Sequence, residues 1–181
     1  FFRKVLSALS LQTPYAEHNI VKGDTHGMAQ LGGSVISTFS AGKVYSPVLT
    51  PQSVDVLVVM ETAEVLRDGF LELLKPGGTL ILNDFEVVPI GSTRDDYPKR
   101  SAIEEALKGF DVIPVNAVKA AQELGDPWGR SANVVVLGLL STLAPFDAIP
   151  RENWLAALMQ VSPTPATQSA NALAFDAGRS L

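Results

Sequence analysis

In the N-terminal third of this 181-residue sequence, most of the unusual polar side chains lie between Gly23 and Val35. Their hydrogen-bonding members are Thr25, His26, Gln30 and Ser34. The adjacent Gly32 and Gly33 let a ligand or another backbone approach where a Cβ would clash. We interpret this segment as a loop that presents backbone amides to a ligand or a partner. A tight turn before a strand is the simpler alternative.

His26 is one of only two histidines in the sequence. Its imidazole could transfer a proton near neutral pH, although a hydrogen bond that fixes the loop is the more common use. With His18 as the only other histidine, a typical zinc site would need carboxylate ligands as well. The sequence has no cysteine, which rules out disulfides, a cysteine nucleophile and an iron–sulfur cluster held by thiolates of this chain. We therefore predict no metal site and no catalytic residue here.

Three further polar residues lie beside predicted strands or helices. Glu61 and Asn83 each follow a predicted parallel strand, at the edge where open α/β sheets bind ligands. Glu61 could act as a general base, or it could simply favour the positive end of a following helix. Asn83 could bind a ligand or hold its own loop. Asn133 begins an apolar helix, where it could face the same cluster or be an ordinary first-turn residue.

The elements that must position these residues follow a strand–helix–strand pattern. The β-branched run Val54–Met60 is typical of a parallel strand covered on both faces. A helix is predicted from a cap at Thr62 to a last turn at Lys75, where Pro76-Gly77-Gly78 ends it before the strand Thr79–Asn83. The predicted buried stripe of that helix is Ala63, Leu66, Phe70 and Leu73.

The flanking segments complete a predicted α/β fold with three layers, α/β/α, around a mainly parallel sheet in a single domain over residues 1–181. Before the central unit we predict a helix over Phe1–Leu11, an extended segment Tyr15–Val21, and strands Val35–Ser40 and Val44–Val48 joined by a hairpin turn at Ala41-Gly42. After it we predict a helix with a capping box at Ser101 and Glu104, an edge strand Asp111–Val115, a helix Ala117–Leu124 and a turn Asp126–Gly129. The apolar run Ser131–Leu143 is predicted to be a buried helix, and the stretch Val134-Val135-Val136 leaves a strand as the alternative. A helix opened by Pro150 follows, and then an arm over 162–181 that docks on its own domain or on a partner.

Composition narrows the class of partner. Hydrophobic residues make up 46% of the chain and charged residues 18%, which predicts a large buried interface with another chain. The net charge of −5, with no basic run, argues against nucleic acid. No apolar run reaches the roughly 18–20 residues of a membrane span, and no signal peptide is visible. We therefore expect a cytoplasmic protein that does not contact membranes.

The segment Lys75–Leu82 is similar to one that is common in S-adenosylmethionine-dependent methyltransferases. Its physical content is a helix stop, a turn and a strand. The early strand, Gly-rich turn and ribose-binding acid that such an enzyme needs do not precede residue 54 in the right arrangement. A methyltransferase-like enzyme is therefore an alternative and not the main interpretation.

The segment Asp24–Val35 resembles the gamma subunit, or gamma domain, of 2-oxoacid:ferredoxin oxidoreductases of the pyruvate, ketoisovalerate and indolepyruvate types, with the indolepyruvate branch nearest. The family pattern reads roughly His-Gly-Met-Ala-Gln-Arg-Gly-Gly-Ser-Val, and this sequence departs from it at Leu31. The family normally begins with a strand and a Gly-x-Gly-Gly-x-Gly turn, whereas this sequence starts inside the helix that follows. Further matches run in order through Ser46-Pro47, Asp55–Glu61, Leu66-Arg67, Lys75–Gly78, Asn83, Leu124-Gly125, Asn133, Leu137-Gly138, Asn171, Ala174-Phe175 and Gly178.

This resemblance implies a gamma-type subunit that is inactive alone and supports the oxidative decarboxylation of a 2-oxoacid in a hetero-oligomer. Thiamine-binding subunits and an iron–sulfur subunit or ferredoxin would be the partners, and they would hold thiamine diphosphate and the clusters. Coenzyme A could bind at the interface, although this chain alone would hold no cofactor. A scaffold subunit without any ligand is the other alternative. The expected cofactor-contacting residues are Thr25, His26, Gln30, Gly32, Gly33, Ser34, Glu61, Asn83 and Asn133.

Overall fold

A computed structural model describes residues 1–10, 19–26, 35–89 and 91–181, and these residues form α-helices and β-strands. The strands are β1 (Asn19–His26), β2 (Val35–Gly42), β3 (Val54–Val59), β4 (Leu74–Asn83) and β5 (Asp111–Val115). The helices are α1 (Phe2–Ser10), α2 (Arg100–Ala106), α3 (Ala117–Glu123), α4 (Ala132–Leu140), α5 (Arg151–Val161) and α6 (Pro165–Arg179). Short 3₁₀ turns cover Thr62–Leu66, Leu71–Leu73 and Arg94–Asp96.

The contacts of the chain divide it into two compact units. The first, which we call the helical unit, comprises Phe1–Gly23, Ser37–Pro47 and Ala117–Leu181. The second, the sheet unit, comprises Asp24–Ile36 and Val48–Asn116. Each unit is described separately below, and the single domain expected from the sequence stays a prediction.

The sheet unit contains a three-stranded parallel sheet in the order β3-β4-β5. The predicted α/β class with a parallel sheet is confirmed. The central strand β4 is buried along its whole carboxyl half, since Leu80, Ile81 and Leu82 are all at most 7% exposed. The strand β5 pairs with β4, through Leu82 and Pro114 among others, and lies at the edge of the described sheet as predicted. Proline is tolerated there because an edge strand needs fewer N–H donors.

The Pro76-Gly77-Gly78 stretch was expected to end a helix, and it instead forms a bulge inside β4. Val54 pairs with Leu74, but Val56 pairs with Thr79, so extra residues of β4 loop out between the two pairs. Gly77 takes a φ of +75°, which glycine adopts without a Cβ penalty. A Cβ at Gly78 would lie 2.8 Å from Leu74 Cδ1. The two glycines therefore serve a strand irregularity and not a helix stop.

The helix predicted between Thr62 and Lys75 is wrong. Two 3₁₀ turns stand in its place, and Gly69 separates them with a φ of +74°. Leu66 of the predicted buried stripe is 37% exposed. The cap is also different, because the Glu61 side chain and not Thr62 accepts the backbone N–H at the start of the first turn. The backbone dihedral angles of Arg67 and Gly69 lie outside the helical region, so a continuous helix cannot form here despite the helical spacing of the apolar residues.

The predicted hairpin at Ala41-Gly42 is also wrong. Both residues lie in β2, and the described residues 43–48 form no strand. Tyr45 and Val48 are 86% and 75% exposed, so the run that looked like a strand has no core to bury its side chains. Pro47, which lacks a backbone N–H, further weakens any ladder there.

Strand β1 changes the interpretation of the polar segment that begins at Gly23. Residues Gly23–His26 are strand paired with β2, and not loop as expected. A Cβ at Gly23 would lie 2.9 Å from Thr38 Oγ1 and 3.1 Å from Pro47 Cβ. Glycine is therefore needed at this position so that Thr38 and Pro47 can pack closely against the strand. The rest of the predicted loop, residues 27–34, lies outside the described residues.

The helical unit is built on α4, the apolar helix predicted from the sequence. Every residue of α4 except Asn133 is buried. Trp154 of α5 is fully buried between Phe146 and Phe175, at centroid distances of 5.9 Å from each ring. Helix α1 packs against α5. The helices predicted over Phe1–Leu11 and after Pro150 are confirmed within their described residues.

Residues 162–181, expected to be an arm, consist mostly of α6, which packs along α4. Two glycines set the distance between these helices. A Cβ at Gly138 would lie 2.1 Å from the Phe175 carbonyl oxygen, and one at Gly178 would lie 1.9 Å from the Val135 carbonyl oxygen. The helices therefore meet backbone against backbone. Arg179 adds a hydrogen bond of 2.7 Å from Nη1 to Ser141 Oγ.

An ion pair joins α5 to α6. The Arg151 guanidinium donates to both oxygens of Asp176, over 2.7 Å from Nε and 2.5 Å from Nη2. These bonds hold the pKa of the Asp176 carboxyl below its usual value. Because both side chains remain about two-fifths exposed, solvent screens the pair and its contribution to stability is small.

We expect Gly178→Ala to destabilise the fold strongly, because the added methyl group has no space beside the Val135 carbonyl. The two backbones would have to separate, at a cost of about 3 kcal/mol. Urea unfolding followed by circular dichroism measures this change. The control is Leu173→Ala on the same helix, at a position 60% exposed, which should leave the unfolding midpoint nearly unchanged. Equal midpoints for the two variants would contradict the packing described.

Candidate functional site

Glu61 is the centre of a polar cluster at the carboxyl end of the parallel sheet. It lies two residues beyond the end of β3 and caps the first 3₁₀ turn, with Oε2 accepting the Ala63 N–H over 3.0 Å. Its Oε1 accepts the Val87 N–H over 3.2 Å and a short hydrogen bond from the Tyr97 hydroxyl. One carboxylate therefore joins three segments that are separate in sequence.

Tyr97 is the partner that the sequence analysis missed. Partial burial, together with its hydrogen bond to Glu61 and the negative charge of that carboxylate, raises the pKa of the phenol well above its usual value. The hydroxyl also accepts the Ala63 N–H over 3.1 Å. The Arg94 guanidinium lies 5.7 Å from the centroid of the tyrosine ring and forms an ion pair with Glu86.

A local signal for the position of Tyr97 is present in the residues that precede it. The side chains of Thr93 and Asp96 form a reciprocal capping box around the 3₁₀ turn Arg94–Asp96. That turn directly precedes Tyr97 and positions it. The capping box predicted at Ser101 and Glu104 is not the one observed, since α2 begins after Lys99 without a side-chain cap.

Asn83 closes the same end of the sheet from the neighbouring strand. Its side chain is 1% exposed, and Nδ2 donates to the Met60 carbonyl over 3.0 Å. Beside it, Thr62 donates to the Phe85 carbonyl through both its backbone N–H, over 2.9 Å, and its hydroxyl, over 2.8 Å. The Asp84 N–H donates to the Val115 carbonyl over 2.7 Å, so all three strand ends are tied together.

This arrangement is suited to bracing the sheet edge. Both oxygens of Glu61 accept hydrogen bonds from the protein itself, which leaves the carboxylate poorly placed to take a proton from a substrate. Asn83 is buried against Met60 and occupied in the same way. The structure therefore favours the capping and loop-holding alternatives for these two residues.

The remaining predicted site residues have different locations. Thr25 and His26 lie in the last part of β1. Asn133 is half-buried in the first turn of α4, in the helical unit. Glu61 and Asn83 are the two that the sheet unit brings together. Four others lie outside the described residues; they are Gln30, Gly32, Gly33 and Ser34.

Other kinds of site were sought within the described residues. No group of three or more histidine, aspartate or glutamate side chains there could hold a metal ion. None of the described helices is long and apolar enough to cross a membrane. An open depression of about 540 Å³ lies at the amino ends of the strands, lined among others by Gln52, Lys75 and Phe110, and no predicted site residue lines it.

Solved structures define the fold class first. Pyruvate oxidoreductase subunit PORC from Thermotoga maritima superposes with a TM-score of 0.69 at 20% identity, over 99% of this chain and 86% of that one. The gamma subunit of a keto/oxoacid ferredoxin oxidoreductase from Geobacter sulfurreducens gives a TM-score of 0.60 at 16% identity, over 99% and 92%. The chain therefore shares their mixed α/β fold.

The sequence match then gives the family. Residues 12–181 match the model for pyruvate ferredoxin/flavodoxin oxidoreductase, and the chain belongs to that family. The indolepyruvate oxidoreductase subunit IorB of Archaeoglobus fulgidus is 36% identical over 126 residues, which cover 67% of this chain and 61% of the relative. IorB of Thermococcus kodakarensis is 28% identical over 169 residues, covering 90% and 81%.

These findings confirm the resemblance seen in the sequence and give no support to the methyltransferase-like alternative. The relatives are subunits of oxidoreductases, as their names state. The match spans only 61% of the length of the Archaeoglobus protein.

We expect Glu61→Ala to destabilise the protein by about 2 kcal/mol, because it leaves the N–H groups of Ala63 and Val87 and the hydroxyl of Tyr97 without their acceptor. The free energy of unfolding in urea checks this value. Glu72→Ala removes an exposed carboxylate from the same unit and should change it by less than about 0.5 kcal/mol. If Glu61→Ala proved as harmless as the control, Glu61 would not be the brace of this edge.

Proposed function

We propose that this chain is a gamma-type subunit of a thiamine-diphosphate-dependent 2-oxoacid:ferredoxin oxidoreductase, which oxidatively decarboxylates a 2-oxoacid. The single observation that carries the proposal is the family match over residues 12–181. The relatives named as indolepyruvate oxidoreductase subunits favour a 2-oxoacid with an aromatic side chain.

The proposal assigns the chemistry to partner subunits and the assembly role to this chain. Thiamine diphosphate, when bound by a partner, supplies the carbanion stabilisation that decarboxylation of a 2-oxoacid requires. Because the sequence has no cysteine, thiolate-held clusters must also belong to an iron–sulfur subunit or a ferredoxin. The engaged oxygens of Glu61 support the same division, since this carboxylate is not free to act as an acid or a base. We place the complex in the cytoplasm.

Coenzyme A is the ligand proposed for the interface. The segment from Thr25 to Ser34 carries the glycines and polar groups suited to a phosphate-bearing ligand, although Leu31 replaces the usual arginine. Thr25 and His26, at the end of β1, lead directly into this segment. Glu61 and Asn83 would support the site indirectly, because both already bond to protein groups.

Reconstitution tests the assembly role. The purified chain, mixed with the thiamine-binding subunit encoded in the same genome, should elute with it as one complex in size-exclusion chromatography. The complex should reduce ferredoxin with indolepyruvate and should do so poorly without this chain. Separate elution of the two proteins, together with full activity of the partner alone, would overturn the proposal. Tight binding of S-adenosylmethionine to the isolated chain, measured by calorimetry, would do the same.

Gly33→Val tests the coenzyme A site in the assembled complex. The added side chain should obstruct the close approach of ligand to backbone and weaken coenzyme A binding by about tenfold. Isothermal titration calorimetry on the complex gives the dissociation constant. Ala41→Val is the control, because it enlarges an exposed residue of β2. Unchanged binding in Gly33→Val would favour a scaffold subunit that holds no ligand.

A further inference from the structure

We draw no further inference here: the strongest candidate, the outer edge of β3, which pairs with no strand among the described residues and has neither proline nor charge from Val56 to Val59, carries no proposal because nothing in the structure shows what covers it.

Discussion

The carboxylate of Glu61 is the interaction on which the carboxyl end of the parallel sheet depends. Three parallel strands end side by side there, and each end leaves backbone groups that need partners. Glu61 accepts two of the N–H groups and the Tyr97 hydroxyl, while Asn83 and Thr62 satisfy neighbouring carbonyls. A position that open α/β enzymes often use for ligands is occupied here by the protein's own hydrogen bonds.

The helical unit relies on a different kind of contact. Gly138 and Gly178 remove side chains from the place where α4 and α6 cross, so the backbones themselves touch. Around this contact lie fully buried side chains, including those of Trp154 and Phe175. Polar side chains thus hold the edge of the sheet unit together. The helical unit is instead held together by the close packing of α4 against α6.

The sequence predicted the parts of the fold that strong periodicity specifies. Strand β3, the carboxyl half of β4, strand β5 and helix α4 all follow from their apolar patterns. The sequence-based prediction failed where burial and backbone conformation, and not local periodicity, determine the structure. The exposed Tyr45 was taken for part of a strand because its β-propensity is high, and Gly69 interrupts an apolar spacing that suits a helix. Tyr97 was missed because it meets Glu61 across 36 positions, a distance that no local pattern reports.

The close contact of α4 and α6 also affects how the chain is made. Helix α4 is apolar on nearly every face, and the helix that covers it is synthesised only after α5 has followed. During translation, α4 leaves the ribosome after α1 and α3, which cover part of it, but before α6, which packs along it. Nascent chains stopped before Pro165 lack α6 and expose the face of α4 that it covers, a surface of the kind that chaperones bind.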